Sequence, residues 1–352
     1  MDDSKREACP RCGSGNVAEI LWGKPAFTDE LKQKIDNGTV SLGGCCFDSS
    51  SPRYYCNECG AEFGRIEFDM PWSKKDDRLK AIVYGAAVGD ALGVPFEFQK
   101  RGTFACTRMV AGGVHGMPAG TFSDDTSLLL ATCDSIRAHG GKIKPKDMAN
   151  RFKEWLYEGA YTPDGRVFDV GSTVATALDQ GHGCTGERSN GNGSLMRIAP
   201  LALTDADEAQ IAAVSAITHA HPISVTACVA FVSMLRDVLR GMSLPNAIRG
   251  NIPSDERFSF LESVEEKDRD EIQSSGFVLH TLEAALWCNL RSESYAECVK
   301  EAVNLGSDTD TTACVAGALA GALCGYRAIP DKWVETLRGK DVIDTCLFET
   351  AQ

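Results

Sequence analysis

The sequence has a shortage of positive charge and little that would suit a membrane. Its 352 residues include 36 Lys and Arg against 49 Asp and Glu, which gives a net charge of −13. An acidic surface repels phosphate backbones and anionic lipids, so neither nucleic acid nor membrane is expected as a partner. No uninterrupted apolar run reaches the ~18 residues of a membrane span. Because the first five residues are polar and acidic, we expect no signal peptide and a cytoplasmic protein.

The sequence also has few of the alternating patterns that predict β-strands. Apart from short pieces near residues 63–68, no alternating pattern is present, whereas apolar residues recur at helical spacing over most of the chain after residue 76. The helical segments are Leu79–Gly93, Ser127–His139, Met148–Tyr157, Glu208–Ala220, Ile223–Met242, Val278–Asn289, Tyr295–Ala302 and Thr311–Cys324. Residues 1–75 hold six of the 15 cysteines and no long helical pattern. We therefore predict a small module over residues 1–75 and a mainly α domain over residues 76–352.

Two Cys-x-x-Cys-Gly motifs dominate the small module. Four thiolates in such paired turns are typical of a closed, tetrahedral structural zinc site. The predicted ligands of one Zn²⁺ are Cys9, Cys12, Cys56 and Cys59. The 43 residues between the motifs exceed the usual spacing in zinc ribbons, and Cys45 and Cys46 in this insertion are alternative ligands. Because residues 1–75 carry 12 acidic and 10 basic side chains, we expect the module to contact protein rather than DNA.

Carboxylates cluster at the ends of predicted helices. The acidic residues and neighbouring hydroxyls are Ser123, Asp124, Asp125, Asp308, Asp310 and Thr311, with Asp90 and Glu97 near a third helix end. One Asp at a helix start is usually an N-cap, but two carboxylates within one turn repel each other unless a cation lies between them. Oxygen ligands select Mg²⁺ or Mn²⁺ over zinc. The pattern favours a binuclear site for these cations, with helix capping as the alternative.

Glycine marks two helix faces and one loop. Gly85, Gly89 and Gly93 recur at every fourth residue, as do Gly317, Gly321 and Gly325. Such stripes predict a close approach of another backbone, with chance in a glycine-rich sequence as the alternative. The loop over residues 188–194 allows several N–H groups to point at one anion, and a helix start in the apolar run that follows would add positive potential. A diphosphate site and an ordinary surface turn are both compatible with this loop.

Six motifs in this order resemble the ADP-ribosylglycohydrolase family. They are Gly89–Gly93 with Glu97, Ser123–Thr126, Gly191–Arg197, Thr218–Pro222, Gly276–Trp287 and Gly306–Thr311, within about residues 76–333. The resemblance implies a compact all-α orthogonal helical bundle with two Mg²⁺ or Mn²⁺ ions in a central cleft. It also implies hydrolysis of the bond at ribose C1 that joins ADP-ribose to a modified protein. The N-terminal cysteine motifs lie outside this resemblance.

The resemblance assigns expected roles to single residues. The implied metal ligands are Ser123, Asp124, Asp125, Asp308, Asp310 and Thr311, with Asp310 bridging the two ions. The implied substrate contacts are Asp169, Gly171, Ser189, Gly191, Asn192, Ser194 and His219. Either Glu97, which resembles the mobile glutamate of the family, or Asp124 is expected to manage the catalytic proton.

Two functional hypotheses follow. The segment Gly276–Trp287 is similar to that of the bacterial branch that acts on ADP-ribosyl-arginine and reactivates dinitrogenase reductase, which favours an arginine-directed hydrolase. O-linked and free ADP-ribose remain alternative substrates. The second hypothesis is an immunity or binding protein whose N-terminal module blocks an ADP-ribosyltransferase, such as a toxin, with or without hydrolysis. The complete set of acidic ligands favours the enzyme.

Overall fold

A computed structural model describes residues 8–22, 28–43, 51–64 and 76–350. The chain divides into one unit built mainly from its first 70 residues and another from Pro71–Leu239 and Leu244–Gln352. The predicted boundary at residues 75 and 76 adjoins residues outside the described ranges, so it stays a prediction. Cys45 and Cys46 also lie outside the described ranges.

The N-terminal unit is a small sheet with one short helix. Its elements are β1 (Val17–Leu21), α1 (Asp29–Asp36), β2 (Val40–Leu42), β3 (Tyr54–Cys56) and β4 (Glu62–Phe63). The strand order is β2-β1-β3-β4, with β1 parallel to β2 and the other two pairs antiparallel. Only β4 falls at a predicted strand position. Strands of two to five residues offer too few positions for an alternating pattern to show.

The large unit is helical, which confirms the predicted fold class. Its α-helices are α2 (Asp76–Gly93), α3 (Asp124–Ala138), α4 (Pro145–Glu158), α5 (Ser172–Gln180), α6 (Glu208–Ser215), α7 (Pro222–Leu239), α8 (Leu244–Gly250), α9 (Val278–Arg291), α10 (Tyr295–Asn304), α11 (Thr309–Cys324), α12 (Asp331–Thr336) and α13 (Lys340–Cys346). Each predicted segment coincides with a helix, although α6 is shorter than predicted. The sequence reading missed α5, α8, α12 and α13, because helices of six to nine residues give little periodicity.

The contact between α2 and α11 lies at the centre of this unit. A Cβ placed on Gly85 would lie 2.3 Å from the Gly317 carbonyl oxygen, and one on Gly89 would lie 2.0 Å from the Ala313 carbonyl oxygen. Real side chains do not tolerate such distances, so the two backbones touch only because both faces carry glycine. The predicted close approach is confirmed. Gly325 serves differently, as the C-cap of α11 with φ of 80°.

Two of these helices are more apolar than the search for uninterrupted runs indicated. The segments Arg78–Phe96 and Pro222–Leu239 have mean hydropathies of 1.3 and 1.5, enough by length and composition to cross a membrane. Within the fold, however, 89% and 61% of these segments are buried, as expected for core helices that pack on other helices.

The glycine contact yields a stability prediction. Gly89→Ala should lower the free energy of unfolding by about 1–3 kcal/mol, because the new methyl group overlaps the Ala313 carbonyl. The matched control is Gly250→Ala at the end of α8, where a Cβ would meet no atom within 4 Å. Chemical denaturation of both variants measures the difference. Equal stability of the two variants would contradict the close contact.

Candidate functional site

A cavity of about 250 Å³ opens where α2, α3, α5 and α11 begin or end. Its walls combine carboxylates with small residues and backbone. The lining residues are Glu97, Phe98, Asp124, Asp169, Gly171, Ser172, Thr173, Val174, Gly191, Asn192, Gly193, Met196, His219, Asp308 and Thr311. The sequence motifs that lie far apart along the chain therefore meet in one cleft.

Helix capping does not account for the acidic helix starts. At α3 the cap is the hydroxyl of Ser123, which accepts the Asp125 N–H at 3.3 Å and donates to Asp125 Oδ2 at 3.0 Å. At α11 the N-cap residue is Asp308, yet its side chain makes no capping bond and accepts the Asn192 amide at 2.8 Å instead. The hydroxyl of Thr311 links the two helix starts by donating to Asp125 Oδ2 at 3.3 Å.

Several carboxylate oxygens in this cluster have no protein partner. Within the described part of the chain, Asp125 Oδ1, Asp308 Oδ1 and Asp310 Oδ2 are buried without a hydrogen bond. Burial first, and then repulsion between neighbouring carboxylates, raises the pKa of Asp124, Asp125 and Asp310 well above the usual value. Unpaired oxygens among buried, mutually repelling carboxylates are the donor set that a hard divalent cation requires. The residues present therefore fit metal ions.

Asp90 supports this cluster from α2. Its carboxylate accepts hydrogen bonds from the Ser123 N–H at 2.9 Å, the Thr126 N–H at 3.1 Å and the Thr126 hydroxyl at 2.6 Å. Burial raises the pKa of Asp90 to about 6 despite these donors. Asp90 thus occupies the free N–H groups at the start of α3 and leaves the carboxylates of Asp124 and Asp125 to the cleft.

Glu97 has a neighbour that the sequence analysis missed. His115 Nε2 lies 2.5 Å from Glu97 Oε2 and 3.8 Å from Asp169 Oδ1. Burial, together with the charge of Asp169, raises the pKa of Glu97 to about 9. A lone histidine in the glycine-rich segment over residues 112–116 carries no motif that would have singled it out. Two backbone outliers also lie here, since Phe98 and Asp169 have φ of 63° and 55°.

The glycine loop brings backbone N–H groups to the same cleft. Asn192 anchors the glycine loop, because its N–H donates to the Gly276 carbonyl at 3.1 Å and its side chain reaches Asp308. The N–H groups of Gly191, Gly193 and Ser194 have no acceptor among the described residues. Free N–H groups in one short loop favour an anion.

The helix start that lies beside the glycine loop is not the one predicted. The apolar run after the loop forms turns and a 3₁₀ helix over Ala199–Leu203, so the expected helix start after Ser194 is wrong. Instead α5 begins in the cleft: its N-cap Gly171 offers no side chain, and the cavity is lined by Ser172, Thr173 and Val174. The first turn of a helix has free N–H groups and a positive potential, which favours an anion at this place.

Two residues of the expected substrate set lie away from the cavity wall. The hydroxyl of Ser194 is buried and contacts Ser215 Oγ at 3.0 Å and Cys228 Sγ at 3.4 Å. Ser189 is half-buried beyond the lining residues. The Ser194 side chain therefore does not reach the cleft. His219 does line the cleft, and burial lowers its pKa to about 3, so its ring is neutral at physiological pH.

The N-terminal unit holds the second cluster. The sulfur atoms of Cys9 and Cys59 lie 3.6 Å apart, those of Cys12 and Cys56 lie 3.5 Å apart, and all four lie within 4.8 Å of one another. These separations are too long for disulfides and close to the ~3.8 Å edge of a tetrahedron with 2.3 Å metal–sulfur bonds. The four cysteines with the small sheet make a zinc-ribbon-like module.

Comparisons with known proteins connect this cleft to one family. The family model described as ADP-ribosylglycohydrolase matches residues 71–351. A solved structure, titled ADP-ribosylglycohydrolase-related protein complex, aligns with a TM-score of 0.66 and 31% identity. That alignment covers 78% of this chain and 97% of the solved chain.

Curated relatives carry hydrolase names. The ADP-ribosylarginine hydrolase Tri1 of Pseudomonas putida is 35% identical over 275 residues, 74% of each chain. Its namesake from Serratia proteamaculans is 32% identical over 76% of this chain and 77% of its own. The ADP-ribosyl dinitrogen reductase glycohydrolase of Rhodospirillum rubrum is 32% identical over 74% of this chain and 90% of its own.

The carboxylate cluster leads to a prediction about protons. Binding of Mg²⁺ or Mn²⁺ to metal-free protein at pH 7 should release protons, because a carboxyl group with a raised pKa must lose its proton to bind a cation. Since protons compete with the metal, the affinity should fall as the pH falls. Calorimetric titration in two buffers of different protonation enthalpy measures the release. Identical heats in both buffers would contradict the prediction.

Proposed function

Since the chain belongs to the ADP-ribosylglycohydrolase family, we propose that it removes ADP-ribose from arginine side chains of modified proteins. The reaction is hydrolysis at ribose C1: water adds to C1, the C1–N bond breaks and the guanidine leaves with a proton. The observation that carries this proposal is a cleft lined by the carboxylates of Asp124 and Asp308 together with a glycine loop whose N–H groups are free among the described residues, beside the unpaired buried oxygens of the acidic cluster. The arginine linkage is supported by the names of the relatives at 32–35% identity.

The acidic wall would hold two Mg²⁺ or Mn²⁺ ions. The proposed ligands are Ser123, Asp124, Asp125, Asp308, Asp310 and Thr311. When bound, these cations would polarise water or ribose hydroxyls as Lewis acids. Asn192 keeps Asp308 in place through the 2.8 Å bond to Oδ2, which leaves Oδ1 free for the cation.

The chain's own residues supply the proton chemistry. Glu97 lines the cleft, and its carboxyl group is oriented by His115 Nε2 at 2.5 Å. We assign to Glu97 the transfer of a proton to the departing guanidine, and to Asp124 a ligand role. The N–H groups of Gly191, Gly193 and the first turn of α5 would bind the diphosphate.

Asp310→Asn tests the proposal directly. Asp310 is completely buried and has one unpaired oxygen, so the amide should remove metal charge compensation while the fold persists. Turnover of ADP-ribosyl-arginine should fall more than about a hundredfold, beyond the 10–100-fold typical of groups that only support a ligand. The measurement is turnover with Mg²⁺ on arginine-, serine- and glutamate-linked substrates.

The control is Asp341→Asn, an exposed carboxylate on α13, which should keep full turnover. EDTA should abolish the activity, and Mg²⁺ or Mn²⁺ but not zinc should restore it. A folded Asp310→Asn protein with near-full activity would contradict the proposed binuclear site. Turnover of serine- or glutamate-linked substrate alone would overturn the arginine linkage.

The cysteine cluster would hold one structural Zn²⁺. Four thiolates leave no open position for water or substrate, so this ion should stabilise the module without taking part in hydrolysis. In small zinc peptides metal binding supplies ~10–16 kcal/mol of folding free energy. Loss of the zinc should therefore unfold the module alone.

A chain that begins at Asp76 should stay helical and hydrolyse ADP-ribosyl-arginine, because the cysteine ligands precede the cleft residues in the sequence. Cys56→Ser should lose zinc by metal analysis and keep the same turnover. A truncated chain that folds but does not hydrolyse would show that the module completes the active site. Weaker binding of the truncated chain to an ADP-ribosyltransferase, with turnover intact, would indicate a docking role for the module.

A further inference from the structure

Arg197 is a buried cation that has no acidic partner among the described residues. Its side chain is completely inaccessible, and its guanidinium carbon lies 4.5 Å from the centre of the Phe152 ring. Nη1 donates to the Val214 carbonyl at 3.2 Å, Nη2 donates to Thr218 Oγ1 at 2.9 Å, and Nε has no partner in the described ranges. Burial of such a charge is costly, so the arrangement calls for a role that a neutral side chain would not fill.

The hydrogen bond from Arg197 determines where the Thr218 hydroxyl can donate its proton. Arginine only donates hydrogen bonds, so Thr218 Oγ1 accepts from Arg197. The hydroxyl proton then needs an acceptor, and His219 Nδ1 lies 2.9 Å away. The Thr218 side chain has no other hydrogen-bond partner among the described residues. His219 Nδ1 is therefore the acceptor, and a neutral imidazole in this state carries its proton on Nε2.

The Nε2 edge of the ring lies against the glycine loop. A Cβ on Gly193 would be 2.7 Å from His219 Cε1, and one on Gly191 would be 3.4 Å from Nε2. All three residues line the cleft. Nε2 itself makes no hydrogen bond to the described residues, so its N–H is available beside the free N–H groups of the loop.

Arg197 also acts on the charge of the ring. Burial, and after it the positive charge of Arg197, lowers the pKa of His219 to about 3. The pKa of Arg197 is lowered by burial to about 10, so the guanidinium stays charged at neutral pH. The other titratable groups near the ring or across the cleft are Cys228, Glu97, Asp124, Asp169 and Asp308.

We propose that Arg197 is a positioning residue that acts through Thr218 to hold His219 as the neutral Nε2–H tautomer, which donates a hydrogen bond to the diphosphate of the ligand. The choice of ligand rests on the proposed function, whereas the tautomer does not. A neutral donor at this place adds a directed hydrogen bond without a cation that would compete with the proposed metal site.

The tautomer is measured on the full-length protein with ¹⁵N-labelled histidine. Long-range ¹H–¹⁵N spectra distinguish the two tautomers of the six histidines, and His219→Gln assigns the signal. The expected result is a proton on Nε2 and no titration of His219 between pH 5 and pH 8. A proton on Nδ1, or a charged ring at pH 7, would overturn the proposal whatever the enzyme acts on.

Variants at two positions separate positioning from packing. Thr218→Val keeps the shape but breaks the chain of hydrogen bonds, so the tautomers should mix and the Kd for ADP-ribose should rise about tenfold. KM should rise with it while kcat changes less. Arg197→Met should raise the pKa of His219, and Arg197→Lys should restore the original tautomer. The matched control is Thr132→Val, a buried threonine on α3 whose hydroxyl bonds, among the described residues, only to the Leu128 carbonyl.

The outcomes for the two proposals are distinct. Unchanged ADP-ribose affinity in a Thr218→Val protein whose tautomer has changed would overturn the donor role of His219. Wild-type protein that binds no ADP-ribose would refute the proposed function, and with it the ligand assigned to His219, while the spectra still decide the role of Arg197.

Discussion

The backbone contact between α2 and α11 is the constraint on which the site depends. A Cβ on Gly93 would lie 2.3 Å from Asp310 Cα, and the Thr309 hydroxyl donates to the Gly93 carbonyl at 2.8 Å. The end of α2 therefore touches the start of α11, where Asp310 lies. The same helix reaches α3 through Asp90, which accepts the Ser123 N–H. One helix thus sets the relative position of both acidic helix starts, and the Glu97 segment follows directly from its end.

This rigid placement forces an electrostatic conflict. Asp124, Asp125 and Asp310 are buried among carboxylates that raise their pKa, and the hydroxyls of Ser123 and Thr311 satisfy only Asp125 Oδ2. A protein that needed only a stable core would replace such groups by apolar side chains, since unpaired buried charges are costly. Retention of unpaired oxygens is consistent with cations as part of the working protein. The glycine contacts then hold these carboxylates at a fixed spacing that repulsion alone would widen.

The long helices and the paired carboxylates could be predicted from the sequence, whereas short helices and tertiary contacts could not. Long helices show their period, and paired carboxylates at Asp124-Asp125 stand out because one helix start needs only one cap. The glycine stripes likewise have a direct physical meaning. In contrast, the nine-residue α5 is too short to show a helical period. The predicted helix start therefore falls in the apolar run after the glycine loop instead of at α5. His115 could not be found, because its contact with Glu97 arises from tertiary packing between separate loops.

The cleft combines carboxylates with free backbone N–H groups in a protein that is acidic as a whole. With a net charge of −13, the surface as a whole disfavours a diphosphate, and lysine or arginine in the cleft would compete with cations for the carboxylates. Among the described residues, the lining contains neither lysine nor arginine. Backbone N–H groups from the glycine loop and α5, with the neutral ring of His219, attract an anion through dipoles whose influence is short in range. A ligand with a diphosphate at one end and a ribose at the other would therefore suit this cleft, because the N–H groups add no net charge to oppose the proposed metal site.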